Sequence, residues 1–366
     1  MGFTCGIVGL PNVGKSTIFN ALTSVGAEAA NFPFCTIEPN QGIVSVPDPR
    51  LQDIANYIVP KKVVPTTMTF VDIAGLVAGA SKGEGLGNKF LAHIRETNAI
   101  AHVVRCFDDE NVVHVDGSVD PIRDIEIIDT ELILADLETV TKRITALEKK
   151  TRGGDKDAIK ALEVARPVQD ALEAGKCVRA LGLSEDDALC IRDFHLITQK
   201  KVMYIGNVDD GGMEDLANNP HYQRLAAHAA SEGAEVTALC GKTEAEIAEL
   251  DPEEKSEFLA DLGLTESGLD RVIHAGYRLL NLQTYFTAGE KEVRAWTIHE
   301  GDSAPQAAGV IHTDFERGFI KADVYHYADL MEHKSEAAVK EAGAMRLEGK
   351  KYVVQDGDIM HFRFSV

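Results

Sequence analysis

The sequence predicts an α/β protein: a parallel sheet flanked by helices, interrupted by a helical hairpin and followed by a smaller domain of different make-up. Three observations predict this. Strand-length apolar runs alternate with helical patterns over residues 1–125 and resume at Lys201. Such alternation implies a parallel sheet covered on both faces. A heptad seam fills the stretch between them, and residues 283–366 change to short alternating runs.

Phe3 to Gly9 is a short apolar run closed by glycine, and a helical pattern follows from Lys15 to Ser24. Thr67 to Ile73, Ile100 to Cys106, Lys201 to Ile205 and Ala234 to Leu239 are the further expected strands. In the middle stretch, Ile133, Leu137, Val140, Ile144 and Leu147 repeat at four- and three-residue steps, a coiled-coil spacing. Gly153-Gly154 ends it, and Ile159, Leu162, Ala165, Val168 and Leu172 mark a second helix. Two helices joined at a glycine turn predict an antiparallel hairpin over residues 126–195. Towards the end, Val293 to Ile298 reads as a strand. Lys351 to Val354 and Ile359 to Phe364 are expected to pair across the turn Gln355-Asp356-Gly357-Asp358 with one face buried.

The chain has 366 residues, 45% of them hydrophobic, which is enough apolar material for more than one core. Its net charge is −21, so nucleic acid and anionic membrane are repelled at long range, and any RNA contact needs a local basic patch. One such patch exists: between Lys142 and Lys160, seven basic residues (Lys142, Arg143, Lys149, Lys150, Arg152, Lys156, Lys160) stand against three acidic ones. It suits a phosphate backbone; a solvated helix end is the alternative. Six cysteines form no CxxC pair and no zinc-ligand spacing, so reduced thiols in a cytosolic protein are expected. No signal peptide and no apolar run long enough to span a membrane are evident.

The chemistry concentrates near the N-terminus. Gly9-Leu10-Pro11-Asn12-Val13-Gly14-Lys15-Ser16 fits GxxxxGK[ST] between an expected strand and an expected helix. Its glycines let backbone N–H groups wrap phosphates, and the helix N-terminus adds about half a positive charge. Lys15 is expected to reach the β- and γ-phosphates, and Ser16 to bind Mg²⁺. Asp72, at a strand end in Asp72-Ile73-Ala74-Gly75, is placed to support that ion, and Gly75 to present an N–H to the γ-phosphate. Thr36 lies in the loop between the first helix and the second strand, where a hydroxyl can ligate Mg²⁺. After Gly75, Leu76 stands where Ras-type enzymes carry a water-orienting Gln. A cation, a histidine from elsewhere or a partner must then replace it; of His93, His102 and His114, the last, after a strand end, is the better candidate.

Asn207-Val208-Asp209-Asp210 occupies the place of the guanine-reading NKxD, with Val208 in place of the Lys; Cys240-Gly241-Lys242 stands where SAK is usual. Asn207, Val208 and Asp210 are thus candidate base contacts, and the residues alone leave the base open. A helix cap at Asn207 to Asp210 is the alternative.

The runs Gly6 to Thr17, Asn31 to Asn40 and Asp72 to Gly87, with Tyr204-Ile205-Gly206-Asn207, Glu244 to Ile247 and Gln283 to Thr287, closely resemble the Obg-like ATPase family, the YchF proteins, over essentially the full length. The resemblance implies a Ras-like P-loop domain (1–125 and 196–282), an inserted helical hairpin (126–195) and a C-terminal TGS domain of β-grasp type (283–366). It implies hydrolysis of ATP in preference to GTP, with Mg²⁺ as cofactor and K⁺ as a candidate activator. It implies ribosome or rRNA contact through the hairpin and TGS domain, a cytoplasmic location and no membrane. The family's phosphate and Mg²⁺ positions carry over to Asn12, Val13, Gly14, Lys15, Ser16, Thr17 and Thr36; its NxxE base motif appears here with Asp210 in place of the Glu. A GTPase acting in translation, a nucleotide-gated binder with negligible turnover and a small-molecule kinase are the competing readings.

Overall fold

The computed structural model describes residues 3–26, 40–73, 86–109, 111–112, 114 and 117–365. Thr36, Gly75 and Leu76 lie outside the described residues, as does all of the glycine-rich stretch 74–85. The described strands are β1 (Thr4–Val8), β2 (Gln41–Ser45), β3 (Val63–Val64), β4 (Thr67–Asp72), β5 (Ala99–Arg105), β6 (Val202–Asn207), β7 (Glu235–Leu239), β8 (Leu282–Ala288), β9 (Val293–His299), β10 (Phe319–His326), β11 (Arg346–Glu348) and β12 (Asp358–Phe364). They form two six-stranded sheets. The chain divides into two compact units, residues 1–43 with 69–276 and residues 44–68 with 277–366.

In the first unit the sheet order is β2-β4-β1-β5-β6-β7, and every pairing from β4 to β7 is parallel. All seven residues of β5 and all six of β6 are buried, as expected of strands covered on both faces. The five expected strands of this sheet are present; β2 has no equivalent in the sequence reading. The helix Lys15–Gly26 packs Ile18 and Leu22, both fully buried, into the core beneath β1.

The helical insertion begins earlier than the apolar seam suggests. Its first helix runs Pro121–Thr151, started by Asp120, whose side chain accepts the N–H groups of Ile122 and Arg123. A proline at the first helical position costs nothing there, because that N–H has no partner anyway. The lower part packs Ile125, Ile128 and Leu132 out of water. The seam residues Ile133, Val140 and Ile144 then bury against Val164, Ala165, Val168 and Leu172 of the returning helix Lys156–Glu173. Ile159 is instead 41% exposed. At the root, Asp136 is fully buried and accepts the backbone N–H groups of Ile197 and Thr198, pinning the segment that re-enters β6.

In the second unit the order is β11-β10-β12-β8-β9-β3, with a parallel β12–β8 pair at the centre between antiparallel neighbours. This is the β-grasp arrangement. The expected pairing of Lys351–Val354 with Ile359–Phe364 does not form. β12 pairs with β10 and β8, while Val353 makes only an isolated bridge to Ser303. The cause is the polar chemistry of the turn. Asp358 is fully buried and accepts from the Gln355 N–H (2.9 Å) and the Tyr352 hydroxyl (2.7 Å). Asp356 accepts the Thr284 N–H at 2.9 Å and pairs with Arg50 at 2.6 Å. The turn therefore folds onto β8. The one-sided burial expected for β12 also fails. Ile359 packs with Leu51, Ile54 and Leu330, whereas Met360 packs with Ala304 and Ala308 in a separate cluster. Both faces of β12 are covered at Ile359 and Met360, and its exposed residues are at the far end, Arg363 and Phe364.

Candidate functional site

The parallel register of the first sheet assembles the site. β1 runs beside β4 with Ile7 opposite Asp72, so the loop leaving β1 starts next to that carboxylate. Gly9 passes close under β5: a Cβ there would lie 2.5 Å from the Val103 carbonyl oxygen. Gly14 has φ +94°, and a Cβ on it would lie 2.2 Å from Asn207 Nδ2. Only glycine permits both the backbone angle and the approach.

Lys15 is 8% exposed, and its Nζ donates to the Leu10 carbonyl at 3.1 Å, folding the side chain back along its own loop. Burial pushes its ammonium below the ordinary lysine range, with the Asp72 carboxylate pulling it back up. Burial likewise raises Asp72, opposed by Lys15. Each charge thus offsets part of the cost that burial imposes on the other. Asp72 Oδ1 is buried and has no hydrogen-bond partner among the described residues. An orphaned carboxylate oxygen here needs an unseen partner.

Asn207 ties the loop to the far side of the sheet. Its Nδ2 donates to the Val13 carbonyl, and its Oδ1 accepts the Gly241 N–H, both at 2.9 Å, with the side chain buried. A cleft of about 380 Å³ opens between these elements. Asn12, Gly14, Lys15, Ser16 and Thr17 line one side; Phe107 and Val112, with Asn207, Gly241 and Lys242, line the rest. Ser16 and Thr17 are exposed, so their hydroxyls face solvent at the helix start. Fixed N–H groups, one buried cation and an apolar patch together suit a phosphate chain attached to a flat, partly apolar group.

Five of the expected site residues among those described are outside this lining: Asp72, Val208, Asp210, His114 and Val13. The Val208 side chain is buried, 2% exposed. Asp210 is outside the lining: its carboxylate accepts from the Thr243 hydroxyl and the Cys240 thiol and lies 4.0 Å from Lys242 Nζ. The Thr243 bond is the largest of the influences that hold the Asp210 carboxyl below its ordinary range. Nor does His114 line the cleft. It is 7% exposed, and its Nε2 meets Asp124 Oδ2 at 2.8 Å at the start of the long helix. Val13 contributes its carbonyl to Asn207 rather than a side chain to the lining. Sequence reasoning missed Phe107 and Val112. The available signal was position, since ligands of parallel α/β sheets bind beyond the carboxyl ends of the strands, and Phe107 follows β5 directly.

Residues 4–150 match a family described as "50S ribosome-binding GTPase", and residues 282–365 match YchF-GTPase_C, described as "Protein of unknown function (DUF933)". The chain is 60% identical to the "Ribosome-binding ATPase YchF" of Haemophilus influenzae and 56% identical to that of Bacillus subtilis, over 366 residues and 100% of both chains in each case. The structure of the Schizosaccharomyces pombe YchF GTPase is similar with a TM-score of 0.89 at 40% identity, covering 99% of this chain and 98% of that one.

Proposed function

The chain belongs to the YchF family, and from that premise we propose that it is an ATPase whose nucleotide state controls binding to the ribosome. The observation that carries the nucleotide assignment is the cleft: a P-loop lined by the buried Lys15, which feels the charge of Asp72, with Asp72 Oδ1 unpaired among the described residues and Asp210 outside the lining. The loop amides and Lys15 hold the phosphates; on binding, Lys15 Nζ exchanges the Leu10 carbonyl for a phosphate oxygen. Asp72 and the Ser16 hydroxyl are hard oxygen donors and fit Mg²⁺, which would neutralise phosphate charge. Thr36 is proposed as a further ligand and Gly75 as a further phosphate contact. K⁺ is to be tested as an activator.

For guanine, a carboxylate must accept from the base edge inside the cleft. Asp210 is committed to Thr243, Cys240 and Lys242, which supports adenine. Titration of the wild type and Asp210→Asn with ATP and GTP tests this. The variant should change ATP affinity by less than ~1 kcal/mol, as an ordinary surface substitution does. Tighter GTP binding in the wild type, lost in the variant, would refute the adenine reading.

The ribosome contact is placed on the hairpin tip and the C-terminal domain. Lys149, Lys150, Arg152, Lys156 and Lys160 are exposed there, and none has an ion pair with any described residue. The three-part division, with residues 126–195 as the inserted hairpin, belongs to the same reading, as does a cytoplasmic location. No helix among the described residues is long and apolar enough to cross a membrane. Leu76 in place of Gln supports a slow basal rate that a partner accelerates. Single-turnover hydrolysis with and without ribosomes measures it.

A further inference from the structure

Arg105 is the largest fully buried side chain among the described residues, 1% exposed at the last position of β5. No carboxylate among the described residues forms an ion pair with it. Its partners are three backbone carbonyls of the loop that follows: Nε donates to Phe107 (3.1 Å), Nη1 to Val112 (2.8 Å) and Nη2 to Asp109 (3.2 Å). The guanidinium carbon also stands 4.5 Å from the centroid of the Phe107 ring. A buried charge that no described carboxylate pairs is costly, and an apolar side chain would fill the same volume without that cost. What the arginine provides is a fork of donors that converts an irregular loop into a fixed surface.

Other bonds of the described loop residues include Asn111 N–H to Asp109 Oδ1 at 2.8 Å and His221 Nε2 with Asp108 Oδ2 at 3.1 Å. Cys106 N–H bonds to the Asn207 carbonyl and Val112 N–H to the Asp109 carbonyl, while Asn219 holds the Cys106 carbonyl from outside. Phe107 and Val112, two of the three residues whose carbonyls Arg105 holds, line the cleft. Arg105 and Asn207 are register partners at the ends of β5 and β6. Asn207 fixes the P-loop side of the cleft, and Arg105 fixes the apolar wall opposite the phosphate loop.

We propose that Arg105 is a positioning residue for the nucleobase: it acts through Phe107 and Val112 and leaves the phosphates to the P-loop. This rests on the nucleotide reading of the cleft. The test is calorimetric titration of full-length wild type and Arg105→Lys with Mg²⁺–ATP and with Mg²⁺–inorganic triphosphate, which has no base. Lysine keeps the charge but cannot span three carbonyls in a plane. ATP affinity should fall about tenfold, while triphosphate affinity should change less than about twofold. Equal losses on both ligands, or an unchanged ATP affinity, would overturn the proposal. Should the wild type bind ATP no more tightly than triphosphate, the base does not occupy the cleft. That result, seen without any variant, sinks the nucleotide reading and this one with it. Should Arg105→Lys fail to fold, amide exchange in the wild type decides. Phe107, Asp108 and Val112 should be protected by ATP and not by triphosphate; equal protection by the two would reject the role.

Discussion

Asn207 is the residue whose replacement tests the site geometry most directly. Asn207→Ala removes two buried hydrogen bonds of 2.9 Å and leaves the Val13 carbonyl and the Gly241 N–H without their partner. Each buried group left unpaired costs about 1–3 kcal/mol, so the change removes about 2–6 kcal/mol in total. Bound nucleotide re-orders the P-loop at the expense of binding energy, and the loop end of the pair lies directly against the cleft. About 2 kcal/mol should therefore appear as affinity, roughly a 30-fold rise in Kd for ATP. Asn207→Asp separates the two bonds. It keeps the acceptor for Gly241 but turns a carboxylate oxygen towards the Val13 carbonyl, so it should bind ATP no better than the alanine variant. The assays are ATP titration and thermal unfolding of each protein. An Asn207→Ala protein that binds ATP within a factor of two of wild type at unchanged Tm would refute the claim that Asn207 sets the loop.

Lys15→Ala removes the buried cation of the phosphate loop and should lower turnover at least ~100-fold, or about 2.7 kcal/mol; turnover within threefold of wild type would remove Lys15 from the mechanism. Reversing Lys149, Lys150 and Arg152 to Glu should weaken co-sedimentation with ribosomes and flatten its salt dependence while leaving ATP affinity unchanged. Unaltered salt dependence would make the hairpin tip a solvated surface only. Stability should depend on pH through His102, which is 3% exposed and held neutral, its pKa pushed down to about 3 chiefly by burial. The unfolded chain takes up that proton near 6.5 and the native state does not. Stability is therefore intact above about 6.5 and falls with decreasing pH towards 3, at up to about 1.4 kcal/mol per pH unit. Urea unfolding at pH 7 and pH 5 measures the slope, and His102→Gln should reduce it; an identical slope would exclude His102 as its source.

The P-loop was readable because its chemistry is contiguous: eight neighbouring residues carry the turn, the cation and the hydroxyl, and strand and helix patterns flank them. The hairpin seam was readable for a similar reason, since its period of 3.5 residues is a local property. The residues of the base motif alone do not give their orientation. Asn207 and Asp210 are three positions apart, yet one enters the cleft and the other turns to Thr243 and Lys242. Nothing in that tetrapeptide decides it; the start of a helix about 30 residues later supplies the partners. The C-terminal strand was misread because alternation of Met360, Phe362 and Phe364 reports one buried face only when the other meets water. Here helices cover both faces at Ile359 and Met360.

By itself the sequence determined the class of the fold, the phosphate loop, the inserted helices and the residue types available for chemistry, because each is written in neighbours or in short periods. The tertiary structure alone decided that residues 44–68 complete the C-terminal unit, that Asp72 Oδ1 is buried with no hydrogen-bond partner among the described residues, and that a buried arginine holds the carbonyls of Phe107 and Val112 at the wall of the cleft. Those facts depend on which distant backbone groups remain unpaired once the sheets have closed, and a side chain's hydrogen-bond partner, unlike its polarity, is not a property of its neighbours in sequence.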